Sequence, residues 1–166
     1  MIFSARYALA ATCAFAAFSG GAQASEADFL KRFHGSFSGN GSVKMDAKSD
    51  ARAISCKVSG TSTATSLNMG GTCSAGMMSK NISASLRATG NGSYSGTYNG
   101  IDGSAPVTGR RSGNTLVLSI RGQKPATMRI SNTGKGFALS VVADKVQVTQ
   151  VSLARTGGAQ IASIAE

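Results

Sequence analysis

The chain has no tryptophan, two prolines, one histidine and only seven acidic residues, and each scarcity removes a class of function. A lone histidine, His34, cannot build a histidine zinc site, and no His-Glu-x-x-His stands anywhere in the chain. By the alternation of its neighbours His34 falls on a polar face, as a solvated side chain. Of the acids, Glu26, Asp28 and Glu166 lie toward the chain ends, and Asp46, Asp50, Asp102 and Asp144 lie in or beside turn-forming residues. That scatter offers no glycosidase-type carboxylate pair and none of the dense acidic spacing of a calcium loop. Gly-x-Ser-x-Gly is missing too: the two nearest pentapeptides carry Phe37 or Tyr94 at their centres. Serines abound, but none has an evident base; a Ser-Lys pair through Lys57 or Lys80 is open arithmetically, and nothing selects one. No catalytic residue, metal ligand or cofactor is assigned, and the chain is expected not to be an enzyme.

Long apolar runs are also missing. No segment approaches the ~20 residues a membrane helix needs. With seven Phe and three Tyr, and Ile164-Ala165-Glu166 at the C-terminus, the chain lacks the aromatic girdle and end strand of an outer-membrane barrel. The one compact apolar stretch is Tyr7 to Phe18. It follows Arg6, is broken by Ser19-Gly20-Gly21, and leads to Ala22-Gln23-Ala24, the small-x-small pattern that signal peptidase cuts after. Residues 1–24 therefore read as a cleavable signal peptide, with mature protein from about Ser25 in the periplasm or outside the cell. Cys13 sits inside the apolar run rather than after it, which is wrong for a lipid anchor. Its removal leaves Cys56 and Cys73, an even pair in an oxidising compartment, expected to form a disulfide worth about 3 kcal/mol.

What the chain does have is alternation. Glu26 to Arg32 can form a short helical turn with Ser25 as its cap; everything after it reads as strand. Phe33, Gly35, Phe37, Gly39, Gly41, Val43 and Met45 alternate with polar residues, and the inner glycines would let such a long strand coil. Shorter runs follow: Ile54, Cys56 and Val58; Leu67, Met69, Gly71 and Cys73; Ile82, Ala84, Leu86 and Ala88. Later runs centre on Tyr94 to Tyr98, Leu116 to Ile120, Met128 to Ile130, Phe137 to Val141, and Val146 onward. Gly90-Asn91-Gly92, Asn99-Gly100, Asp102-Gly103 and Ser112-Gly113-Asn114 supply turns. The parity slips at Thr149-Gln150, the mark of a β-bulge. Gly35-Ser36-Phe37-Ser38-Gly39 is echoed by Gly92-Ser93-Tyr94-Ser95-Gly96, a match short enough to be coincidence in a Gly/Ser-rich chain.

The pattern predicts an all-β domain over residues 25–155: a small closed antiparallel up-and-down barrel of about 8–10 strands, comparable in architecture to calycins, after a short helical turn. A two-sheet β-sandwich is the alternative. Residues 156–166 read as a flexible tail. Phe37, Val58, Met69, Leu86, Leu118, Met128 and Leu139 are candidate lumen-lining residues, and a lumen they fail to fill would take a small apolar ligand. The tryptophans of biotin-binding and many lipocalin barrels are missing, so neither family is claimed.

The net charge of +10 falls by one with Arg6 and points to anionic envelope lipid, lipopolysaccharide or acidic glycan, with Arg87, Arg110 and Arg111 as candidate contacts. Nucleic acid fits poorly, because the cations are scattered and the stacking candidates Tyr94 and Tyr98 share the core parity of Gly96. A second reading is a protein-interaction or protease-inhibitor module, with Ser25 to Lys31 as a projecting arm.

Overall fold

A computed structural model describes residues 21–45, 48–100 and 102–157, with side chains from Ser25 onward. The apolar run at Tyr7 to Phe18, Asp46 and the end of the C-terminal tail lie outside the described residues. One helix, α1 (Gly21–Lys31), precedes ten strands: β1 (Gly35–Val43), β2 (Arg52–Ser62), β3 (Ser66–Ala75), β4 (Met78–Gly90), β5 (Ser93–Gly100), β6 (Gly103–Ser112), β7 (Thr115–Ile120), β8 (Ala126–Asn132), β9 (Gly136–Ala143) and β10 (Val146–Thr156).

Each strand pairs antiparallel with its neighbours in sequence, and β1 closes the ring on β10. The closed ring excludes the sandwich. At the closing seam the backbones come unusually near: a Cβ on Gly39 would stand 1.8 Å from the Ser152 carbonyl oxygen, and one on Gly41 1.9 Å from that of Gln150. Only glycine fits there, which is the physical reason for their alternation along β1. The bulge is real but one position earlier than the parity slip suggests. Gln147 pairs with Val142 and Thr149 with Val141, so Val148 is the extra residue.

Strand alternation then sorts the side chains. Buried residues such as Val58, Leu86, Val107, Leu118, Met128 and Val151 point into the barrel, and their polar neighbours point out. Cys56 and Cys73 lie directly opposite each other across β2 and β3, Cα atoms 4.1 Å apart, and are joined as a disulfide on the inner face.

The helix departs from the expected short turn. It starts at Gly21, running through the Ala24–Ser25 bond, so Ser25 is not its cap. Glu26, Phe29, Leu30 and Phe33 recur at three- and four-residue spacing, and all four are buried. This face lies over the barrel end formed by the starts of β1, β3, β5, β7 and β9 and plugs it. Phe33 belongs to this plug rather than to β1. Its ring packs edge-on against Phe29 at 5.3 Å and Phe137 at 5.5 Å, and Phe37 meets Phe137 at 5.0 Å.

Two arginines fasten the plug. Arg111 Nε and Nη2 both reach Glu26 Oε2 at 3.0 Å, Nη2 also donates to Ser25 Oγ, and the guanidinium lies over the Phe29 ring. Arg155 donates to the carbonyl oxygens of Arg32 and His34 just past the helix C-terminus, where a cation complements the helix dipole, and covers the Phe37 ring. Arg32 in turn donates to Asn114 Oδ1 in the β6–β7 turn.

Candidate ligand cavity

Below the plug the barrel is hollow. A cavity of about 290 Å³ runs between the strands and opens at the opposite end, toward the loops that follow β1, β3, β5, β7 and β9. Val58, Met69, Leu86, Leu118, Met128 and Leu139 line it, together with the disulfide. An almost wholly apolar wall gives water few partners, so such a space favours an apolar guest over ordered solvent.

Phe37 is the exception among the residues expected to line the lumen. Its ring turns toward the plugged end, where Phe137 and Arg155 enclose it. The five-residue echo gives its second copy the same fate: Tyr94 is buried too, and its hydroxyl has no hydrogen-bond partner among the described residues.

Sequence reasoning missed the charges on the inner face. Arg52 and Lys80 share the parity of lumen-facing residues near the mouth: Arg52 is the Cα partner of Val43, and Lys80 of Cys73. Arg111 and Arg155 share it at the plug. Counting parity for charged residues as well as apolar ones would have found all four. Lys80 lines the cavity and is the one charged residue among the described residues that does; no acid stands in the lining among them. Tyr98, also in the wall, has its phenol pKa pushed above 10.0, mainly by burial and secondarily by the negative charge of Asp102.

The rim is apolar as well as basic. Met45, Met77 and Met78 are exposed there, and Met45 and Met78 touch the cavity. Methionine is flexible and polarisable, a side chain that adapts to guests of variable shape.

The candidate anion contacts divide. Arg87 and Arg110 are exposed on the outer face. Arg111 is not available: alternation turns it inward, away from adjacent Arg110, and Glu26 holds it. The projecting arm is also corrected in place, since Phe29 and Leu30 of Ser25 to Lys31 are fully packed into the plug. His34 is exposed, with Nδ1 accepting a long bond from the Ser62 amide. Among the described residues no cluster of His, Cys, Asp or Glu could hold a metal ion, and no helix is long and apolar enough to cross a membrane.

No family model matches the chain, and no curated protein does. Among solved structures it is similar to the crystal structure of Rv2717c from M. tuberculosis, at 13% sequence identity and a TM-score of 0.64. The match covers 78% of this chain and 96% of that one. At that identity the two share a fold, and the likeness extends no further than the fold.

Proposed function

We propose that this protein is an exported, non-enzymatic binding barrel, periplasmic or secreted, whose lumen carries a small apolar ligand. The observation that carries this reading is the cavity itself, apolar, sealed at one end by the helix and open at the other. Export rests on the signal-like first 24 residues and on the Cys56–Cys73 disulfide, which suits an oxidising compartment. Cleavage before Ser25 would keep Glu26, Phe29, Leu30 and Phe33, the residues that make the plug.

Size bounds the guest. At ~30 Å³ per water-sized group, the cavity of about 290 Å³ holds roughly ten methylenes. Burying these gains about 8 kcal/mol, against an association cost of at least about 4 kcal/mol. A purely apolar chain would therefore bind weakly.

The test is extraction of the purified protein with organic solvent, followed by mass spectrometry. One apolar species recovered in near-stoichiometric amount is expected. An empty extract, together with no binding of added medium-chain alcohol, would overturn the reading.

A second reading keeps an anionic envelope partner on the outer wall. Ser38, Asn40, Lys57 and Lys135 line a groove along β1, β2 and the β8–β9 turn, two lysines with no acid among the lining residues. Acidic glycan bound there would be released by salt; binding unchanged from low to high ionic strength would remove this reading. A protease-inhibitor role through Ser25 to Lys31 has less support, because that segment is occupied in plugging the barrel.

A further inference from the structure

Among the described strand residues four charged ones share the inner-face parity, and every one is a cation. Two of them, Arg111 and Arg155, are accounted for by the plug. Arg52 and Lys80 remain, on strands that flank β3 near the mouth. Lys80 has no ion pair or side-chain hydrogen bond among the described residues. It stands two and four residues from Ile82 and Ala84 on the same face of β4, at the boundary between apolar wall and water. A lysine at such a boundary, with no acid among the described residues of the lining, is matched by one kind of guest: an apolar tail ending in a single negative charge.

Resting on the lumen-binding reading above, we infer that the natural ligand is a single-chain anionic amphiphile of the fatty-acid class, its tail in the lumen and its carboxylate at Lys80. Two further observations fit this orientation. The exposed methionines of the rim suit entry of a flexible chain. The plugged end contains aromatic rings and committed arginines, so the head cannot be housed there.

The experiment is calorimetric titration of the purified protein with decanoate, 1-decanol and decyltrimethylammonium, repeated for Lys80→Ala, Lys80→Glu and Lys80→Arg. Lys80 is exposed, so all three variants should melt with the parent, which circular dichroism checks. Decanoate should bind about tenfold more tightly than decanol, and the preference should shrink as salt is raised. Lys80→Ala should abolish the preference while leaving decanol affinity unchanged; Lys80→Glu should favour the ammonium, and Lys80→Arg should restore decanoate. Equal binding of decanoate and decanol by the parent protein would overturn the headgroup assignment and leave the lumen reading standing. Preference for the ammonium, or a decanoate preference that survives Lys80→Ala, would also overturn it. If none of the three probes binds, the lumen reading fails and this inference falls with it.

Discussion

At the plugged end of the barrel, four phenylalanine rings and two guanidiniums close the lumen; at the mouth, three methionines and a lysine leave it open. Lys80, Arg111 and Arg155 all share the inner-face parity of their strands, β4, β6 and β10. The difference is what those positions are bonded to. Arg111 and Arg155 each have an aromatic ring beneath them and oxygen acceptors ahead of them, so their charge is spent inside the molecule. Lys80 has neither. One end of the barrel is therefore tied together by its charges, and the other leaves Lys80 exposed to water.

The sharpest way to break this contrast is to truncate one large apolar side chain at each end. Phe33→Ala should cost about 3–5 kcal/mol, since it empties the centre of the aromatic cluster, whereas Met77→Ala should change stability by no more than about 0.5 kcal/mol. Urea unfolding midpoints decide it, and similar losses at the two ends would erase the distinction. Removing the disulfide by Cys56→Ala with Cys73→Ala should cost about 3 kcal/mol by the chain-entropy estimate, read in the same assay without reductant.

Breaking the plug electrostatically is a smaller test. Arg111→Ala leaves a mostly buried Glu26 carboxylate without its cation and should cost about 1.5–3 kcal/mol, while Arg110→Ala, on the outer face, should fall within about 0.5 kcal/mol. Equal effects would mean that the two adjacent arginines are equally solvated. The smallest effect belongs to Tyr98. Its folded pKa is raised, so its contribution is fully present below pH 10 and is lost as pH climbs through the raised folded value. Stability of the parent protein should thus decline above pH 10 more steeply than that of Tyr98→Phe, followed by urea midpoints at successive alkaline pH values.

What local sequence could carry, it carried. Two-residue alternation places Val58, Met69, Leu86, Leu118, Met128 and Leu139 on one side of their strands, and puts Cys56 and Cys73 each on the core side of its own strand, β2 and β3, which are neighbours. The bulge was displaced by one position because parity marks where alternation resumes, not which residue is extruded. The plug was illegible for a different reason. Its fastenings join residues 85 positions apart for Arg111–Glu26 and 123 apart for Arg155–Arg32, and no window along the chain contains both partners. Parity alone puts Phe37 on the lumen wall, because it fixes which way a side chain points and not its height along the barrel. The Arg110-Arg111 pair misled in the opposite sense: adjacency in sequence suggested one patch of charge, but neighbours in a strand face opposite sides.

The seam between β1 and β10 has a consequence for how the molecule comes into being. The first strand made is the one that must wait for the last, so through almost the whole of synthesis the growing ribbon has two raw borders. Ring closure over so many residues makes folding slow and late, and a chain still unclosed is one that can be threaded through a narrow pore. Residues 146–156 thus act as the latch. A truncation that deletes them would leave a sheet whose free borders recruit other chains in place of its own missing strand.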